Sequence, residues 1–124
     1  MPLKVTVAQK KPEAFTIAPE GSIDSDTFPE LEKAVRSAID QKAKVIMFDM
    51  QRVKYISSMG LSVIFKAKKL LSGNNGEIMI VNLQPQIKNI FDLVKVIPEW
   101  IFENMQEADE SLDAFLAKRQ NLSE

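Results

Sequence analysis

The chain has 124 residues, 45% of them apolar, and a formal net charge of −1, which suits one compact α/β domain with a real core. So balanced a charge lacks the basic surplus that releases counterions from phosphates, and direct nucleic-acid binding is not expected. Cysteine and histidine are both absent, which excludes disulfides, a thiolate nucleophile, a Cys/His zinc site and a Ser-His-Asp hydrolase.

The N-terminal stretch MPLKVTVAQKKP lacks the apolar h-region of a signal peptide, and no apolar run approaches the ~20 residues of a membrane span. A cytoplasmic protein without a membrane partner is therefore expected. Residues 3–8 alternate, with Leu3, Val5 and Val7 apolar and Lys4 and Thr6 polar, which predicts a half-buried strand. Residues 14–18 predict a second. The link between them is too short for a parallel crossover, so the two should form an antiparallel hairpin. Pro19, Glu20, Gly21 and Ser22 read as a turn.

A helix is predicted over 27–40, with Leu31, Val35, Ala38 and Ile39 at spacings of three and four. Pro29 fits a first turn, and Asp26 or Thr27 can cap it. Residues 44–50 are apolar on both faces, as a central covered strand would be. A loop over 51–57 should lead to a helix over 58–72, with Leu61, Ile64, Phe65, Lys68 and Leu71 on one side. Gly73, Asn74, Asn75 and Gly76 predict a turn, and 77–82 another buried strand. A short helix over 84–94 turns Ile87, Ile90, Phe91 and Val94 inward. Pro98 interrupts, and residues 100–102 read as a short edge strand. The last helix, over 106–119, carries Ala108, Leu112, Phe115 and Leu116 on one side, with Glu107, Asp109 and Glu110 suited to its dipole. Strands alternating with helices call for a mixed sheet, mainly parallel beyond the hairpin.

Residues 49–71 are where chemistry could sit. A buried strand ends, a loop follows, and a helix opens at Ser57, Ser58, Met59, Gly60 and Leu61. Helix N-termini after parallel strands offer unpaired N–H groups and partial positive charge, which favour an anion, including a phosphate carried on serine. A serine there also serves as a plain N-cap. Gly60 costs about 1 kcal/mol against alanine in a helix, which suggests that something must approach its backbone closely.

The stretch FDMQRVKYISSMGLSVIFKAKKLL, followed by GEIMIVNLQPQIKNIFDLVKV, resembles the STAS-domain family, in particular the bacterial anti-sigma-factor antagonists. Gly21-Ser22-Ile23-Asp24 resembles the family's loop before its first helix, and Asp49 stands where the family ends its central strand. The resemblance covers about residues 3–118 and implies a single STAS domain there, with a sheet of four to five strands and about four helices. It also implies an antagonist whose unphosphorylated form binds an anti-sigma factor with serine kinase activity and so frees a sigma factor. Phosphorylation of Ser58, two residues before Gly60, would release that partner, and a serine phosphatase would reset the site. Ser57 stands where the best-known members carry aspartate, and it is the alternative acceptor.

On this reading the partner-binding residues are Asp24, Ser57, Ser58, Met59 and Gly60, with no catalytic residue, metal or cofactor. The chain is the substrate in this circuit and not the enzyme. It has neither a Gly-x-x-x-x-Gly-Lys-Ser/Thr loop nor a Gly-x-Gly-x-x-Gly fingerprint. A monomer is expected when free. Lys66, Lys68 and Lys69 read as a solvated face or as a docking patch for an acidic partner. Tyr55 and Trp100 read as packing residues. The competing readings are a STAS accessory subunit of a lipid or anion transport system and, more remotely, a small ligand-processing enzyme.

Overall fold

A computed structural model describes residues 3–93 and 101–122. The order along the chain is β1 (Lys4–Lys11), β2 (Ala14–Ile23), α1 (Phe28–Asp40), β3 (Val45–Asp49), β4 (Arg52–Ile56), α2 (Ser58–Ser72), β5 (Glu77–Val81), α3 (Pro85–Leu93), β6 (Ile101–Phe102) and α4 (Met105–Leu122). One sheet runs β1-β2-β3-β5-β6, with β4 also paired to β2. The β1–β2 hairpin is antiparallel and every other pair is parallel. Parallel order follows from the α1, α2 and α3 crossovers, which return the chain to the same edge of its strands.

Strand alternation divides the core into two layers. Phe15, Ile17, Ile46, Phe48, Ile78 and Ile80 face α1, α2 and α3, whose Leu31, Val35, Leu61, Ile64, Ile87 and Phe91 meet them. Ala14, Val45, Met47, Met79 and Val81 face the other way, against Ala108 and Leu112 of α4. Strands β3 and β5 are apolar on both sides for this reason. Val94, Pro98 and Trp100 lie outside the described residues.

Two segments differ from the sequence expectation. Residues 19–22 are not a turn but the second half of β2, which reaches Ile23. Strand β3 pairs with β2 only as far as Ile17, and β4 takes over from Glu20. Pro19 falls in the gap between these partners, where a missing N–H leaves no ladder bond open on that side. Gly21 has φ +121° beside a register shift in the β2–β4 pairing, where Gly21 faces Val53 and Ser22 faces Tyr55, so the extra residue of the bulge is Lys54 on β4.

The second difference is β4 itself. Its five residues were expected to be loop, and they raise the sheet to six strands where four to five were expected. Among the described residues β4 pairs with β2 along one edge. Glutamines at the start of α3 answer the other, Gln84, just before the helix, donating Nε2 to the Gln51 carbonyl at 2.6 Å and Gln86 in its first turn donating Nε2 to that of Lys54 at 3.5 Å.

The acids of α4 also do more than match its dipole. Lys10 lies 2.9 Å from Asp109 and Lys11 3.2 Å from Asp113, so the tip of the hairpin grips the helix. At its start, Asn104 Oδ1 accepts from Glu107 N at 3.0 Å, and Glu107 Oε2 accepts from Glu103 N at 3.3 Å. This reciprocal pair resembles a capping box.

Candidate functional site

Strands β2 and β4 end side by side, Ile23 opposite Ile56. The next residue after β4, Ser57, donates its N–H to the Ile23 carbonyl at 2.8 Å. The starts of α1 and α2 are thereby drawn to one rim of the sheet, the carboxyl ends of parallel strands, where sites in such folds gather.

At α2 the two serines have separate duties. Ser57 is the N-cap, extended at φ −87° and ψ 173°, and its Oγ accepts from Gly60 N at 3.3 Å. Its carbonyl accepts from Leu61 N at 3.0 Å. Ser58 is the first helical residue and is exposed. Its carbonyl accepts from Ser62 Oγ at 2.9 Å, while its own hydroxyl has no partner among the described residues. Met59 beside it is 42% exposed.

Gly60 faces inward and is buried. A Cβ there would lie 2.6 Å from Ile23 Cγ2 and 2.7 Å from Ile56 Cγ1. The close approach suggested by its presence is thus to the sheet. Without a side chain the first turn of α2 rests directly on the ends of β2 and β4, and this sets Ser58 at the rim.

The start of α1 is tied down more heavily. Asp24 Oδ1 accepts from Asp26 N at 2.9 Å, from Thr27 N at 3.0 Å and from Thr27 Oγ1 at 3.2 Å. The Asp26 N–H chiefly holds the Asp24 carboxyl below the usual carboxylate range; burial opposes it, and the N–H and hydroxyl of Thr27 add to the lowering. Thr27 is buried. Its hydroxyl accepts from Asp24 N at 2.9 Å and reaches the Ser22 carbonyl at 2.8 Å. Thr27 occupies the N-cap position but makes no side-chain cap bond, and Asp26 does not cap either. Asp24 instead ties down the loop ahead of the helix: its carboxylate takes the N–H groups of Asp26 and Thr27, and its carbonyl accepts from Phe28 N at 2.9 Å.

Lys66 and Lys69 are exposed, whereas Lys68 is paired with Glu77. Tyr55, read as a packing residue, is 51% exposed. A cleft of about 350 Å³ opens beside the end of β3, among Thr6, Ala18, Glu20, Asp49 and Arg52. Its charges are answered locally. Glu20 meets Lys4 at 3.7 Å and Arg52 at 3.4 Å, and Asp49 Oδ1 accepts from Asn82 Nδ2 and Gln51 N, each at 3.2 Å. Among the described residues no three acids converge as metal ligands would, and no helix is long and apolar enough to cross a membrane.

The STAS domain family model matches residues 6–108. The chain belongs to the STAS domain family. BtrV of Bordetella bronchiseptica, described provisionally as an anti-sigma factor antagonist, is 27% identical over 89 residues, 72% of this chain and 77% of that one. The anti-sigma-B factor antagonist of Listeria monocytogenes is 24% identical over 93 residues, 75% and 82% of the two chains. Among solved structures, the anti-sigma factor antagonist SpoIIAA in its unphosphorylated form superposes with a TM-score of 0.79 over 90% of this chain and 97% of its own, at 18% identity. The STAS fold, with its antiparallel hairpin, parallel strands and four helices, is shared with SpoIIAA.

Proposed function

We propose that residues 3–118 form one STAS domain acting in the cytoplasm as a phosphorylation-switched anti-sigma factor antagonist. The unphosphorylated chain binds an anti-sigma factor that is also a serine kinase, and a sigma factor is freed. That kinase phosphorylates Ser58, the complex dissociates, and a serine phosphatase resets the site. The relatives' names support the antagonist role.

The observation that carries the switch is the division of labour at α2. Ser57 Oγ is engaged as the cap, while the Ser58 hydroxyl is exposed and uncommitted. This favours Ser58 over Ser57 as acceptor. Met59 supplies an adaptable apolar contact beside it. Asp24 borders the same rim as a charged neighbour, and Gly60 contributes by seating the turn.

Phosphorylation adds a charge of about −1.5 to −2 to this contact. The helix N-terminus tolerates that charge within the chain. A partner surface shaped for a neutral hydroxyl does not, and a penalty of ~3 kcal/mol weakens binding ~100-fold. No change of fold is required.

The test is to immobilise wild type and Ser58→Asp, pass host lysate over both, and measure each variant's affinity for the ATP-binding kinase retained by wild type. A loss of ~100-fold in Ser58→Asp is expected. Equal retention by both would end the Ser58 switch, and capture of a transport subunit alone would favour the accessory-subunit reading.

A further inference from the structure

Strand β1 is the outermost strand on one side of the sheet, and among the described residues it pairs with β2 alone. Lys4 and all of 6–11 are exposed, and Val5 is half-buried. Among the described residues no backbone hydrogen bond reaches 4–11 from outside the hairpin. At ~3.3 Å per residue this leaves an edge ~26 Å long whose outward N–H and C=O groups are unmatched. The other terminal strand, β6, offers two residues. Lysines, proline or a bulge commonly guard such an edge. Here each lysine has a carboxylate of its own chain beside it: Lys4 lies 3.7 Å from Glu20, Lys10 2.9 Å from Asp109 and Lys11 3.2 Å from Asp113. The bulge sits at one end, between Gln9 and Lys11. Between the lysines run Val5, Thr6, Val7, Ala8 and Gln9, uncharged and rich in β-branched residues.

Symmetry and charge select the occupant. A second copy can extend the sheet by antiparallel pairing of β1 with β1 about a two-fold axis perpendicular to the sheet. Residues opposite each other must point to the same face, so the axis passes through a residue and not between two. An axis on Val7 sets Lys4 against Lys10 of the second copy. An axis on Ala8 draws the bulge into the ladder and sets Lys10 against Thr6. An axis on Val5 calls on Leu3, which is already buried in the core, and shortens the ladder. An axis on Thr6 sets Val5 against Val7 of the second copy, Thr6 against Thr6 and Lys4 against Ala8. No like charges then meet, and the bulge stays outside the paired residues 4–8. Valine and threonine pairs are among those favoured across strands, and Val7 is 37% exposed, so apolar surface is left to cover.

We infer that β1 is a self-association surface, on which two copies of this chain pair antiparallel about Thr6 and continue the sheet from one molecule into the other. A foreign strand would have to supply the same valine and threonine positions, which a second copy already carries. A ladder this short covers far less than the ~1,600 Å² of a standard interface. The dimer is therefore weak, with a dissociation constant on the order of 0.1 mM, and the monomer expected from the sequence prevails at lower concentration. The pairing uses no residue of α2, so it goes beyond the Ser58 switch and can be tested without it.

The full chain is followed by sedimentation equilibrium from about 0.01 to about 1 mM, where a reversible monomer–dimer equilibrium is expected. Thr6→Lys, at an exposed position, sets two ammonium groups against each other at the axis. It should weaken association at least ~10-fold, with the amide NMR spectrum of the dilute monomer otherwise intact. The chain has no cysteine, so a single introduced thiol reports the register. Thr6→Cys brings the two Cα atoms to ~4.5–5.5 Å, within disulfide reach, and should give a disulfide-linked dimer on mild oxidation in air. Ala8→Cys, exposed on the same face, leaves its two thiol-bearing residues ~14 Å apart and should not. A chain that stays monomeric to about 1 mM, a dimer indifferent to Thr6→Lys, or oxidation that links Ala8→Cys as readily as Thr6→Cys would each overturn the inference.

Discussion

Helices α1 and α2 begin at the same rim of the sheet, yet their first turns are built in opposite ways. The α1 start is closed. Three donors converge on Asp24 Oδ1, and the buried Thr27 hydroxyl joins the Asp24 N–H to the Ser22 carbonyl. The α2 start is open. Beside the backbone bond from Ser57 N to the Ile23 carbonyl, it has a long side-chain cap bond from Gly60 N to Ser57 Oγ, and Ser58 and Met59 face solvent. A polar side chain committed to its own loop stabilises the fold and is unavailable to a partner. A polar side chain left uncommitted can be modified or can dock. The rim therefore joins a rigid half to a reactive half, and the rigid half keeps the reactive one in register.

The contrast can be broken most severely at Gly60. Alanine would improve helix propensity by about 1 kcal/mol, but its Cβ would press on Ile23 and Ile56. Overpacking of this kind costs ~1–3 kcal/mol. Gly60→Ala should lower the urea midpoint, and a rise would mean that the first turn of α2 can lift from the sheet.

Thr27→Val keeps the shape of the closed half but removes its hydroxyl. The Asp24 N–H then lacks an acceptor in a partly buried loop, at a cost of ~1–3 kcal/mol in denaturant unfolding. Ser57→Ala removes the cap of the open half. Its bond is long at 3.3 Å, so a loss of no more than ~1 kcal/mol is expected. If Ser57→Ala proves more costly than Thr27→Val, the assignment of rigid and reactive halves is reversed.

The smallest effect is one of pH. A carboxyl held below its usual range contributes stability that is present above the unfolded pKa, about 3.9, and is lost as pH falls through the lower folded value. Asp24→Asn should therefore flatten the acid limb of a stability curve measured between about pH 6 and pH 2.5. An unchanged acid limb would show that the loop does not depend on the charge.

Much of this architecture is legible in the residues. The alternation of 3–8 marks a strand, although it is not the half-buried one expected, since Leu3 is buried and Val5 partly so while Val7 and the rest of β1 are exposed; the doubly apolar runs at 45–49 and 77–81 mark the centre of the sheet. The spacing of Leu31, Val35 and Ala38 marks the buried face of α1. These signals are strong because one periodicity satisfies both local geometry and burial. Residues 19–22 and 52–56 are less readable. Proline and glycine at 19 and 21 carry turn signals that the gap between β3 and β4 and the bulge override. Strand β4 is short and pairs with β2 along one edge, with Gln84 and Gln86 at the start of α3 on the other, and neither feature leaves a local period.

The site divides along the same line. The sequence by itself determined that a helix opens at residues 57–60 behind a buried strand, with two serines and a glycine in its first turn, because capping and helix propensity are local properties. Only the tertiary structure decided which serine caps and which is free, that Gly60 is there for Ile23 and Ile56, and that Asp24 is occupied by its own loop. Those outcomes depend on how close β2 and β4 lie at their ends, and that spacing is set by contacts between residues more than thirty positions apart in the chain.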